Sequence, residues 1–284
     1  MQKDYNKIVD SVIDQALIED LGDGDHTSLS TIPANTKGEA QLVAKESGVI
    51  AGIQIAEKVF KRVDSEIEFE AIKKDGDKIE VGDVIFNVKG KAISLLSAER
   101  LALNFIQRMS GVATQTNDIV RKISHTKTKV LDTRKTTPNL RVFEKQAVKA
   151  GGGVNHRFGL FDMVMIKDNH IDFAGGVVSA IKSCQKYLKE KKKELEVEIE
   201  VRDFKELNEV LAYGDVNRIM LDNFSPENIK KALVLIDGKY KTEASGGITL
   251  DTIVEYAETG VDFISVGALT HHIKSLDLSL KAII

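Results

Sequence analysis

At 284 residues, with 42% hydrophobic and 29% charged side chains, the chain has an ordinary globular composition and enough length for a full-size core. A net charge of −3 excludes a general attraction to nucleic acid or acidic membranes, so an anionic ligand would have to be held by local charge. The one cysteine, Cys184, excludes an internal disulfide framework and a cysteine metal cluster. It shares helical spacing with Val177, Ile181 and Leu188, the pattern of a core thiol.

The N-terminal stretch carries apolar residues at Tyr5, Ile8, Val12 and Ala16, an amphipathic helix interrupted by charge rather than a leader. No stretch approaches the roughly 18 apolar residues of a membrane span. A cytoplasmic location is expected. EDLGDGDHTS (19–28) reads as a loop, Gly38 to Gly52 as strand segments, and Ile53 to Val63 as a helix. Ile67 to Ile72 alternates, Asp75-Gly76 is a hairpin signal, and Val84 to Val88 is a strand. The first third is therefore an α+β unit. From Ser94 helical periodicity runs for nearly thirty residues, with a break expected at Ser110-Gly111. A boundary near Arg108 divides the chain into domains 1–108 and 109–284.

Beyond it strands and helices alternate. Lys129 to Leu131 precedes a helix from Pro138 to Ala150, and Met163 to Ile166 precedes one from about Gly176 to Lys191. Val197 to Val201 precedes Asp203-Phe204-Lys205-Glu206, a capping box. Ile219 to Leu221 precedes Ser225-Pro226-Glu227, a cap with proline in the first turn. Lys241 to Ala244 precedes Gly246-Gly247 and a helix, and Phe263 to Val266 precedes Gly267 and a closing helix. Repeated strand–helix units imply a parallel sheet closed, or nearly closed, into a barrel.

In such barrels the carboxyl ends of the strands share one mouth. Thr133-Arg134-Lys135, His156-Arg157 and Lys167 each follow a predicted strand, which makes a pocket for a strongly anionic ligand. Any one of these cations alone reads as surface charge. Gly151-Gly152-Gly153 fits a flexible helix exit and a close backbone approach to a ligand equally well. Glu196, Glu198 and Glu200 alternate with apolar residues; on a strand covered on both faces one set must point inward, and Glu200 lies nearest the carboxyl end. Asp222 ends its strand in the same manner. Two carboxylates there could hold sugar hydroxyls and stabilise positive charge on the ring. Ser245-Gly246-Gly247 and Val266-Gly267-Ala268 follow the last two strands, where backbone N–H groups can bind phosphate. His26, His125, His271 and His272 show no metal-ligand spacing.

Eight segments carry a resemblance: EDLGDGDHTS (19–28), SAERLALNFIQRMSGVAT (97–114), DTRKTTPNLRVFEKQAVKAGGGVNHR (132–157), MIKDNH (165–170), EVEIEV (196–201), IMLDNF (219–224), EASGGI (243–248) and DFISVGALTH (262–271). In this order and spacing the chain resembles the quinolinate phosphoribosyltransferase family over nearly its whole length. The resemblance implies an N-terminal α/β sandwich, a C-terminal incomplete seven-stranded α/β barrel, and a homodimer with shared active sites. It implies that Arg100 is lent to the partner's site. Thr133, Arg134, Lys135, His156, Arg157 and Lys167 would bind quinolinate and nearby phosphate, with Lys135, Glu200 and Asp222 in catalytic roles. Glu200 and Asp222 would hold the ribose of phosphoribosyl pyrophosphate and stand near its Mg2+. Ser245, Gly246, Gly247, Val266, Gly267 and Ala268 would bind the 5-phosphate. Arg202 departs from the acidic or small polar residue common in the family. The expected reaction yields nicotinate mononucleotide, CO2 and pyrophosphate. Other readings stay open: a Schiff-base lyase on Lys135 or Lys167, a transferase for nicotinate, and a non-catalytic relative of molybdenum-transport-associated type.

Overall fold

A computed structural model describes residues 2–283 and the side chains of 5–283. In chain order the elements are α1 (Gln2–Leu21), α2 (His26–Thr31), β1 (Lys37–Ala44), β2 (Gly48–Val49), α3 (Ile53–Val63), β3 (Glu68–Ala71), β4 (Lys78–Ile79), β5 (Val84–Lys91) and α4 (Ala92–Lys122). There follow β6 (Lys129–Leu131), α5 (Arg141–Ala150), β7 (Val164–Ile166), α6 (Asp168–Ala174), α7 (Val177–Lys191), β8 (Val197–Val201), α8 (Phe204–Tyr213) and β9 (Arg218–Asp222). The chain ends with α9 (Pro226–Ile236), β10 (Lys241–Ser245), α10 (Ile253–Ala257), β11 (Phe263–Ser265), α11 (Ala268–His271) and β12 (Leu278–Ile283).

Two compact units form, and neither is one continuous stretch. The first holds Met1–Asp118, Lys135–Gly153 and Ala268–Ile284; the second holds Ile119–Arg134 and Val154–Gly267. The first unit is built on a four-stranded antiparallel sheet, β12-β1-β5-β3, with a β2-β4 ribbon. Its core includes Ile53, Ile55, Ala56, Val59 and Phe60, the i, i+3, i+4 face of α3. Phe60 packs edge-on against Phe86 at 6.1 Å. Asp75 is not a simple hairpin turn: its carboxylate accepts from the Gly52 and Ile53 N–H groups, 3.0 Å each, and satisfies the start of α3.

Two expectations fail here for identifiable reasons. Helix α4 runs unbroken through Ser110-Gly111. Gly111 serves close packing, because a Cβ there would run into the Lys274 carbonyl, and the Ser110 hydroxyl bonds Ala51 N–H at 3.0 Å. Gly151 likewise lets α5 end against α4, since a Cβ would meet the Ala113 carbonyl oxygen and sit 2.7 Å from Thr116 Cβ. The glycine run is thus a packing device at its first position. The closing helix shrinks to α11, and the final residues instead form β12, antiparallel to β1 with Leu280 opposite Leu42. Leu278, Leu280 and Ala282 alternate with Ser279 and Lys281, the period of a strand.

The second unit is a six-stranded parallel sheet in the order β6-β11-β10-β9-β8-β7. A single parallel bridge, Leu131 to Val154, adds a vestigial seventh position on the outer side of β6. The barrel is therefore incomplete. All five residues of β8 are buried, as expected of a strand covered on both faces. The caps fall where expected: Asp203 accepts from Glu206 N–H at 2.9 Å, and Ser225 from Asn228 N–H at 3.3 Å.

Candidate active site

Parallel pairing puts the carboxyl ends of β6 to β11 on one side of the second unit. Thr133 and Arg134 follow β6, Lys167 follows β7, Glu200 is the penultimate residue of β8, and Asp222 ends β9. Ser245 ends β10 beside Asp222, and Val266-Gly267 follow β11, whose Ser265 is paired with Leu131. His156-Arg157 follow the Val154 bridge. The sequence-derived set in this unit is thus gathered at a single sheet edge.

Lys167 Nζ donates to Glu200 Oε2 at 2.8 Å, and the pair is half-exposed on the lysine side and buried on the carboxylate side. Asn223 Nδ2 donates to Asp222 Oδ2 at 2.7 Å, while Asn223 N–H donates to Ser245 O at 2.8 Å. Gly246 has φ +96°, and a Cβ there would collide with the Asn223 amide; Gly247 has φ +63°. Glycine is required at 246 both by the left-handed backbone and by the asparagine pressed against it. The glycine turn does not open a helix directly, since α10 begins only at Ile253.

Arg157 is half-buried, and desolvation followed by the nearby Arg134 charge lowers its pKa. Two guanidinium groups that repel each other gain when an anion comes between them. One of the five N–H donors of Arg157 is spent on Met163 O at 3.1 Å.

His156 sits differently from its expected place among the substrate ligands. Its side chain is buried, with Nε2 2.9 Å from Glu198 Oε2 and 3.4 Å from Glu243 Oε2. Its Nδ1 accepts the Arg157 N–H at 2.7 Å, and its own N–H donates to Asp132 Oδ1 at 2.8 Å. Nδ1 is thus engaged by a hydrogen bond, while Nε2 lies against the two carboxylates in charge contact without a well-aligned hydrogen bond. Arg218 Nη1 donates to Glu243 Oε2 at 2.9 Å and its guanidinium lies 4.6 Å from the Phe263 ring centroid. Burial alone would lower the His156 pKa, but the two carboxylates raise it to about 9. Desolvation and the Glu243 charge push Glu198 up to about 7. Burial also acts to raise Glu243, yet His156 and Arg218 hold it below its usual value. A proton on Nδ1 would point at the Arg157 N–H, so His156, Glu198 and Glu243 hold their protons as one coupled set. Two carboxylates, Arg218 and one added proton make the buried cluster neutral, the state burial favours.

Glu198, Glu243 and Arg218 were not singled out from the sequence as site residues. Glu198 and Glu200 share one face of β8, and pairing sets Glu198 beside Arg218. Charges at facing positions of neighbouring buried strands were the available signal.

Lys135, Ala268 and Arg100 belong to the first unit. Lys135 follows Arg134 directly and its carbonyl accepts from the Thr270 hydroxyl at 2.8 Å. Arg100 is exposed on α4. Arg202, the departure from the family pattern, pairs with Asp172 at 2.9 Å and with Glu206. A groove of about 600 Å³ in the first unit, lined by Ile8, Val12, Ala16, Phe105 and Leu140 among others, is apolar and carries no cluster of cations. Among the described residues no helix is long and apolar enough to cross a membrane.

Two family models match, described as the N-terminal and C-terminal domains of quinolinate phosphoribosyl transferase, over residues 25–110 and 112–281. The chain is 48% identical to a chloroplastic nicotinate-nucleotide pyrophosphorylase [carboxylating] of Arabidopsis thaliana, covering 95% of this chain and 82% of that protein. It is 44% identical to a probable nicotinate-nucleotide pyrophosphorylase [carboxylating] of Bacillus subtilis, covering 95% and 91%. The structure of the nicotinate-nucleotide pyrophosphorylase from Francisella tularensis superposes with a TM-score of 0.92 at 43% identity, over 98% of this chain and 97% of that one.

Proposed function

The chain belongs to the quinolinate phosphoribosyltransferase family, and we propose that its reaction runs at the strand ends of the second unit. The enzyme transfers a phosphoribosyl group from phosphoribosyl pyrophosphate to quinolinate with decarboxylation, giving nicotinate mononucleotide, CO2 and pyrophosphate for NAD biosynthesis. The observation that carries the site is the pairing of opposites at one sheet edge. Lys167 pairs with Glu200, and Arg134, Arg157 and Asp222 lie at carboxyl ends of strands of the same sheet or just beyond them.

Quinolinate carries two carboxylates, and planar guanidinium groups match carboxylate geometry two bonds at a time. Each charge contact at about 4 Å and an effective dielectric near 20 is of order 4 kcal/mol before desolvation, so several cations are needed to offset the loss of water. Arg134, Lys135, Arg157 and Lys167 supply them, with Thr133 adding a hydroxyl. Gly246 and Gly247, with Ser245, offer backbone and hydroxyl donors to the 5-phosphate, as do Val266, Gly267 and Ala268.

With the reactants held in line, the pyridine nitrogen bonds to the anomeric carbon as the bond to pyrophosphate breaks. Glu200 and Asp222 offset positive charge on the ribose in that transition. The positive charge on the ring nitrogen, now pyridinium, stabilises the electron pair left on the adjacent ring carbon when the carboxylate departs as CO2, and that carbon then takes up a proton. Oxygen donors suit Mg2+. Glu200 and Asp222 each have one carboxylate oxygen in a hydrogen bond to a neighbour, through Oε2 and Oδ2, so both fit a role beside the metal that accompanies phosphoribosyl pyrophosphate. That metal supplies charge neutralisation of the leaving pyrophosphate.

Arg100 reaches the site of a second copy, which makes the working form a homodimer with shared sites. The lone cysteine fits a cytoplasmic enzyme. A Schiff-base role for Lys167 is disfavoured because its Nζ is committed to Glu200 as a cation. Mixing inactive Arg100→Ala and Glu200→Gln proteins tests the shared site. Hybrid dimers contain one intact site, so about a quarter of wild-type activity should return; mixtures that stay as inactive as their components contradict the lent arginine.

A further inference from the structure

We propose that Glu243, Arg218 and Glu198 are positioning residues for quinolinate, clamping the His156 imidazole beneath the mouth so that His156 sets the backbone and direction of Arg157. This rests on the assignment of Arg157 as a quinolinate ligand.

The geometry forms a chain of contacts with no gap. Arg218 Nη1 binds Glu243 Oε2 at 2.9 Å, the same oxygen lies 3.4 Å from His156 Nε2, and Glu198 Oε2 lies 2.9 Å from that nitrogen. Across the ring, Nδ1 receives the Arg157 N–H at 2.7 Å. The peptide of His156 is held from a third side by Asp132, itself wholly buried at the end of β6. Arg157 thus leaves the barrel wall from a backbone tied at the imidazole and at Asp132. Its guanidinium is tied once more, to Met163 O.

Packing alone does not account for such a layer. Parallel barrel interiors are filled by branched apolar side chains, and replacing a buried ion group by apolar residues of equal volume is often neutral or stabilising. Glu198 and Glu243 are both 0% exposed, yet each is charged or proton-sharing. Three buried ionisable groups closed off by the largely buried Arg218 give charge contacts around Nε2 and two directional hydrogen bonds, Arg218 to Glu243 and Arg157 N–H to Nδ1, that apolar packing cannot. An imidazole wedged against two carboxylates at Nε2 and bonded at Nδ1 holds the next residue's N–H to one orientation. Displacement of a binding group by about 1 Å can cost about a hundredfold, so rigid mounting of Arg157 is worth a costly interior. Glu198 also stands two residues below Glu200 on the same face of β8, which puts the buried layer directly under the Lys167 pair.

The test uses the full-length enzyme and three variants, with KM for each substrate and kcat measured separately. Glu243→Gln keeps the shape of the side chain and removes its charge; it should raise the quinolinate KM at least about tenfold, with the phosphoribosyl pyrophosphate KM and kcat within about threefold. Because Arg218 is then left without its partner, the single variant can fail to fold. The double variant Glu243→Gln, Arg218→Met removes both charges and should melt near wild type while showing the same rise in quinolinate KM. Arg157→Ala serves as the reference. If Arg157→Ala raises the quinolinate KM but the folded Glu243 variants do not, the positioning proposal falls and the ligand assignment stands. If Arg157→Ala itself changes nothing, the ligand assignment falls and takes the proposal with it. Equal increases in both KM values in the Glu243 variants would mean a general structural role and would likewise overturn it.

Discussion

Arg157→Ala raises the KM for quinolinate by about a hundredfold or more, leaving that for phosphoribosyl pyrophosphate nearly unchanged. A charge-assisted hydrogen bond contributes about 1.5–3 kcal/mol, and a guanidinium can make two to one carboxylate. Each 1.36 kcal/mol is a factor of ten, so two such bonds place the loss between about a hundred and ten thousandfold. Arg157 is half-buried, which lessens solvent screening of the interaction. Arg157→Lys recovers part of the loss, because lysine restores the charge without the planar fork. Steady-state kinetics with each substrate varied in turn reads the result. An unchanged quinolinate KM in a folded Arg157→Ala protein removes Arg157 from the site.

Glu200→Gln acts on the other quantity. The expected loss is about 10²–10³ in kcat, the size seen when a single preorganised electrostatic contact to a transition state is removed, with the quinolinate KM within a few fold. Gln keeps the volume, and its carbonyl oxygen can still accept from Lys167 Nζ, the bond now made at 2.8 Å. What disappears is negative charge near the ribose as it turns cationic. A variant that melts several degrees lower with kcat intact would assign Glu200 to holding Lys167 and nothing more.

Much of this was legible because two signals agreed. The bounds of α3, Ile53–Val63, are legible in its strong apolar spacing and the acidic turn that follows it. The parallel strands are legible as short apolar runs, and two of them, β8 and β9, are followed by the caps Asp203 and Ser225. Their carboxyl-end cations and carboxylates were then placed together by barrel geometry alone. Where the sequence misled, tertiary packing had overridden a local cue. Gly111 looked like a helix breaker and is a contact point; Leu278 to Ile283 lay too far from β1 in sequence for their pairing to be visible. Adjacency to Arg157 assigns His156 to the mouth, yet its side chain turns inward to Glu198 and Glu243. A one-dimensional reading could not foresee that partnership, which joins three separated strand regions.

The proposed role of these cations is to select a pyridine bearing two carboxylates. Its most direct test offers the purified enzyme phosphoribosyl pyrophosphate and Mg2+ with either quinolinate or nicotinate, following nicotinate mononucleotide and CO2. Quinolinate should give both products in equal amounts, and nicotinate should give essentially none. Nicotinate consumed at a comparable rate, or quinolinate left intact by the folded enzyme, would contradict it.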